Sequence, residues 1–127
     1  MNSILIAAIS FAALAMTVQG QETPPRPKVN AVLVIVTAKK TTTVQKVMSV
    51  MPAEIRATVD LYLQGNIRQW FSRGDGKGVV FLLDVDSEDK ARALIETMPL
   101  HKDDLMDYEY LPVGPLLPLR MLANGVN

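Results

Sequence analysis

Apolar residues recur along the chain with two different periods, and the alternation between those periods predicts the order of its elements. Ala31 to Ala38 (Ala-Val-Leu-Val-Ile-Val-Thr-Ala) is β-branched and nearly continuous in apolar character, which predicts a strand covered on both faces. Lys39 and Lys40 end it. Thr41 to Thr43 then offer N-cap hydroxyls, and Val44, Val47, Met48 and Met51 share one helix face at the i, i+3, i+4, i+7 spacing. Pro52 interrupts this stripe, although proline is tolerated in the first turn of a helix. Ile55, Val59, Tyr62 and Leu63 carry an apolar stripe onward, so two helices, or one kinked at Pro52, fit equally well. Gly65-Asn66 predicts the C-terminal stop.

Beyond that stop the period changes back. Ile67 to Arg73 is strand-like, Gly74-Asp75-Gly76-Lys77-Gly78 is a turn, and Val79 to Val85 is a strongly apolar strand, which together predict an antiparallel hairpin. Asp86 or Ser87 caps a second helix, in which Ala91, Leu94, Ile95 and Met98 repeat the helical spacing until Pro99 ends it. Met48, Met51 and Met98 fall on these stripes as core packing. Met106 to Leu111 alternates as a last strand, and the tail from Pro112 carries Pro112, Pro115 and Pro118, which makes it extended.

The order β-α-β-β-α-β with right-handed crossovers predicts an α+β, ferredoxin-like domain: a four-stranded antiparallel sheet with its helices on one face. The other sheet face then has no helix over it, although the first and third strands are apolar on both sides. A second copy of the sheet is the simplest cover, so a homodimer with two sheets packed face to face is expected.

The first 20 residues stand apart. They contain 14 apolar residues and no charge, and Ile4 to Met16 is interrupted only by Ser10. That run falls short of the roughly 20 residues a bilayer-spanning helix needs, but it suits the apolar region of a secretory signal. Val18 and Gly20 place cleavage after Gly20, so residues 1–20 are expected to be a signal peptide and the protein secreted or periplasmic. An uncleaved anchor or a buried strand is the other reading, since no Lys or Arg precedes the run. Residues 21–28, with Pro24, Pro25 and Pro27, form a short extended linker. The domain then spans 29–119, and 120–127 is a C-terminal tail. No stable membrane insertion is expected once the signal is removed.

Composition narrows the chemistry. The chain has 127 residues, enough for one domain. Thirteen basic residues balance 13 acidic ones, and zero net charge argues against a nucleic-acid binder, which would need a basic face. Without Cys and with a single His, a Cys/His zinc site, a thiol nucleophile and a disulfide are all excluded. No cofactor or metal is called for. Removal of the signal leaves a domain whose apolar share is about 45%, ordinary for a globular protein.

Several segments resemble the muconolactone isomerase-like group, related to the YCII-like proteins of the dimeric α/β-barrel superfamily. They are Asn66-Ile67-Arg68-Gln69-Trp70-Phe71, the glycine turn, Gly78-Val79-Val80-Phe81-Leu82-Leu83, Ser87 to Ile95, Met98-Pro99-Leu100, Tyr110-Leu111-Pro112-Val113-Gly114-Pro115 and Pro118-Leu119. The resemblance covers roughly Val29 to Leu119 and implies a ferredoxin-like protomer, a dimeric α/β barrel and a small-molecule cavity. Members include lactone isomerases and cofactor-free enzymes acting on small organic acids or aromatics. YCII-like relatives carry a His–Asp pair near the start of the fold. This chain has no His before His101, so that pair does not transfer.

Candidate site residues are therefore argued from their chemistry. Strand alternation places Arg68, Trp70 and Ser72 on one face and Ile67, Gln69, Phe71 and Arg73 on the other. A guanidinium beside an indole suits a carboxylated or aromatic ligand. Asp84 interrupts an apolar strand on the face of Val80 and Leu82, where a desolvated carboxylate would serve as a proton-shuttling base. His101 is the one side chain that ordinarily titrates near neutrality. Tyr108 would line the pocket beside Trp70. Each has a structural alternative: a snorkelling strand arginine beside a packed tryptophan, a carboxylate at a strand end, a surface-loop histidine, a core or dimer-contact tyrosine. The glycine turn joins two strands and lacks the Gly-Lys-Ser/Thr ending of a phosphate loop. The expectation is an exported, dimeric α/β-barrel protein that binds a small organic molecule. It would act as a cofactor-free isomerase of the lactone type, with Arg68, Trp70 and Tyr108 binding substrate and Asp84 or His101 moving a proton. The alternative is a non-catalytic binding or assembly module of the same fold.

Overall fold

A computed structural model describes residues 23–119 together with Gly20, Ala123 and Gly125. The expected signal, the first residues of the linker and most of the C-terminal tail lie outside the described residues. The elements run β1 (Ala31–Ala38), α1 (Val44–Leu63), β2 (Ile67–Ser72), β3 (Gly78–Leu83), α2 (Glu88–Ile95), α3 (Pro99–Lys102) and β4 (Met106–Val113). The strands form one antiparallel sheet in the order β2-β3-β1-β4. This is the α+β, ferredoxin-like architecture that the element order implies.

β1 lies at the centre of the domain. Val32, Val34 and Val36 are buried on one of its faces, where they pack with Leu61 of α1, Ala91 and Ile95 of α2 and Leu100 of α3. All the helices therefore cover the same side of the sheet. Leu33 and Ile35 point to the other side, opposite Leu82 and Val80 of β3, and among the described residues no helix lies over them. Phe71 of β2 and Leu111 of β4 extend this open face and are both more than half exposed.

Four local departures from the expected pattern have identifiable causes. α1 is a single 20-residue helix with Pro52 in its interior, capped by the Thr43 hydroxyl, which accepts from the Lys46 N–H at 3.2 Å. Its buried positions are Glu54 and Leu61, with Val47, Val50, Met51 and Ala57 half-buried around them. The stripe of Ile55, Val59, Tyr62 and Leu63 expected to face the core is exposed instead, because the buried face is rotated toward Glu54. Met48 follows that stripe outward, whereas Met98 is 1% exposed.

Pro99 does not merely end α2. It supplies the first residue of α3, where a missing N–H costs nothing. β4 continues through Pro112 to Val113, past the expected end of the strand. It is an edge strand paired only with β1, where proline is tolerated.

The fourth departure is a β-bulge. The β2–β3 register pairs Ile67 with Leu83 and then Gln69 with Leu82, so Arg68 is the extra residue. Beyond the bulge Trp70 pairs with Phe81 and Ser72 with Val79, so Ile67, Trp70 and Ser72 face the helices. Gln69 and Phe71 face away. The expected grouping of Arg68 with Trp70 is broken because the bulge takes Arg68 out of the alternation.

The hairpin closes tightly against β1. A Cβ on Gly78 would stand 1.9 Å from the Val36 carbonyl oxygen, so only glycine permits the approach at this point. The same contact carries the hydrogen bond from the Ala38 N–H to the Lys77 carbonyl, 2.9 Å. Among the described residues no helix is long and apolar enough to cross a membrane.

Candidate functional site

α1 does not close down on the hairpin over its first half. Between them lies an open cleft of about 780 Å³, within the size range of small-molecule sites. One wall is the exposed stripe of α1: Val44, Met48, Ile55 and Val59, with Val47 and Met51 below. The opposite wall is the helix-facing side of the hairpin, with Trp70, Ser72, Val79 and Phe81. The Tyr62 ring stacks on Trp70 at a centroid distance of 4.3 Å and bounds the end of the cleft toward the C-terminus of α1.

The opposite end, beside the hairpin turn and the start of α1, is basic. Lys39, Arg73 and Lys77 line it. Two of the three are held in place by acids outside the cleft. Lys39 Nζ pairs with Asp104 at 2.5 Å, and Arg73 pairs with Asp75 at 2.5 Å while its other amino group donates to the Thr37 hydroxyl. The Lys77 ammonium makes no ion pair among the described residues, although the backbone N–H of Lys77 donates to Asp75 Oδ1 at 2.9 Å. The Thr42 hydroxyl, also in the lining, is buried without a hydrogen-bond partner among the described residues.

One acidic side chain lines the cleft. Glu54 is 9% exposed, and its Oε2 accepts the N–H of Leu100 at 2.9 Å, which caps the start of α3. Burial pushes the carboxyl above the ordinary glutamate range, and the Leu100 N–H offsets only part of that. No cation among the described residues pairs with it. A glutamate almost never lies this deep unless paired. Sequence reading missed it because a charge in the helix-face pattern reads as solvent-facing. The available signal was phase: Glu54 stands at the buried spacing of Val47, Val50, Met51, Ala57 and Leu61.

The residues singled out from sequence are distributed elsewhere, Trp70 excepted. Arg68 donates to Asp84 through Nε and Nη2 at 2.9 and 2.6 Å and to the Asn30 carbonyl at 2.8 Å, so the two candidates neutralise each other. Asp84 borders a separate, smaller surface depression with Lys28, Asn30, Asp86 and Lys90. His101 lies on α3 with its ring 5.2 Å from that of Tyr108, and neither lines the cleft. The Tyr108 hydroxyl is buried without a hydrogen-bond partner among the described residues, and burial holds its pKa well above the usual phenol range. Trp70, the only tryptophan in the chain, is the one expected residue in the cleft. The geometry brings together an apolar trough, a basic end and a buried carboxylate.

No protein-family model matches the chain, and no curated protein matches it. Among the described residues no group of His, Asp or Glu side chains is arranged to hold a metal ion.

The raised carboxyl of Glu54 has a consequence for stability. The folded chain holds a proton there that the unfolded chain releases near 4.5, so stability falls as pH rises from that value through the higher folded one. Asp75, held down by the Lys77 N–H, Asp86 by Lys90 and Asp104 by Lys39 act in the other window, losing their contribution as pH falls below 3.8. Glu54→Gln keeps an acceptor for the Leu100 N–H. Urea midpoints should show wild-type stability declining above pH 4.5, with the Gln variant flatter and more stable at neutral pH. Parallel curves for the two chains would contradict the assignment.

Proposed function

We propose that this chain is an exported binding protein for a small organic acid, which it holds in the cleft between α1 and the β2–β3 hairpin. The observation that carries the reading is a trough of about 780 Å³ with apolar walls and three cationic side chains at one end. An apolar body would lie along Met48, Ile55, Val59 and Trp70, and its carboxylate would meet Lys77, the rim cation with no acidic partner among the described residues. Burial of the body provides affinity in proportion to the area removed from water, and the charged end sets orientation.

Binding without chemistry is favoured over cofactor-free lactone isomerisation. The groups expected to move a proton, Asp84 and His101, do not line the trough, and Arg68 is occupied by Asp84. The resemblance to the muconolactone isomerase-like group supports a small-molecule protein of dimeric α/β-barrel type, and the uncharged apolar N-terminus supports export to the periplasm or beyond. A homodimer belongs to the same reading. Leu33, Ile35, Phe71, Val80, Leu82 and Leu111 share the sheet face that no helix among the described residues covers, and a second sheet would bury it. That face lies on the opposite side of the sheet from the cleft, so dimerisation leaves the cleft open.

Trp70 provides a direct readout. Titration with decanoate should change its fluorescence saturably, and Lys77→Glu should weaken binding several-fold, with the difference shrinking at high salt. A response that is linear in decanoate, or that ignores charge reversal at Lys77, would contradict the site. Sedimentation at micromolar concentration should give a dimer; a monomer would refute the face-to-face sheet.

A further inference from the structure

Glu54 is a buried carboxylate whose one hydrogen-bonding partner among the described residues is a backbone N–H, and it opens on an apolar cleft. Burial of an acid in apolar surroundings without a cation is costly, and the native chain bears that cost. Five acids nearer the surface, Asp75, Asp84, Asp86, Glu88 and Asp104, each bond an Arg or Lys. Glu54, the buried acid among the described residues, does not.

The cleft is also polar in a definite direction. Lys39, Arg73 and Lys77 stand at the end by the hairpin turn, beside the first residues of α1. Glu54 lies ten residues along the helix from Val44, about 15 Å at the α-helical rise. Its Oε2 is taken by Leu100, and Oε1 makes no hydrogen bond among the described residues. A site with cations at one end and a carboxylate lacking a cation part-way along matches a ligand with the opposite arrangement.

We infer that the preferred ligand is an amino acid of the extended kind, with a carboxylate at one end, an apolar chain in the middle and a primary amine that reaches Glu54. The inference rests on the cleft being an organic-acid site and adds the group at the far end of the ligand. The ammonium would supply the counter-ion that Glu54 lacks, and the carboxylate would lie against Lys77. Decanoate and its terminal amino derivative share chain length and carboxylate and differ in this one group.

Both are titrated against the full chain by Trp70 fluorescence and calorimetry. The wild type should bind the amino derivative at least about tenfold more tightly than decanoate, as expected for one charge-assisted hydrogen bond made out of water. Glu54→Gln should abolish that preference, because the amide places no negative charge against the amine. N-acetylation of the amine should reduce its affinity in the wild type to that of decanoate, a control that needs no variant to fold. Equal binding of the two ligands by the wild type overturns the inference and leaves the organic-acid site standing. A preference that survives Glu54→Gln, or that survives acetylation, also overturns it. Absence of binding by either ligand removes the site itself and the inference with it.

Discussion

The hydrogen bond from the Leu100 N–H to Glu54 is the contact on which the arrangement of α1 depends. It ties the middle of a 20-residue helix to the short α3 and is reinforced by Leu61 in the core. The first half of α1 has no comparable anchor on the hairpin among the described residues, and its Val44 and Met48 remain more than half exposed. A helix fixed at its centre and C-terminal half, over a sheet whose hairpin edge it does not cover, leaves a trough. The cleft is thus a consequence of where the helix is anchored.

The same anchor accounts for the electrostatics. The carboxylate that caps α3 has to be buried to reach it, and burial is what raises its pKa. The described residues offer no cation there, while three cations gather at the hairpin turn, two of them fixed by Asp75 and Asp104. Separation of charge along an apolar trough orients a ligand more than it strengthens its binding, since exposed pairs contribute little and buried ones must first be desolvated. Affinity would come from the walls.

Much of the fold was legible in the residues. The β-branched run from Ala31 to Ala38, the glycine turn and the return to helical spacing at Ala91 suffice for the element order, because period and length distinguish strand from helix. The site was far less legible. Arg68 and Trp70 were expected on one face, but a bulge is invisible to a period-two count, and it turned Arg68 toward Asp84. Glu54 was hidden because a charge at a buried phase of α1 reads as a solvent-facing position. Pro99 was legible as a stop and not as a start, since the residue chemistry suits both. Trp70 was found because a large aromatic residue on a helix-facing strand borders whatever space the helix leaves.

The central claim is that the trough between α1 and the hairpin is the ligand site, and methyl NMR tests it at the residues concerned. With methyl-labelled methionines, added organic acid should shift the signals of Met48 and Met51, which line the trough, and leave Met98, buried in the core beneath α2, unmoved. Saturable shifts at Met48 and Met51, with Met98 unmoved, are the predicted result. Met48 and Met51 signals that stay unmoved at saturating ligand would contradict the account.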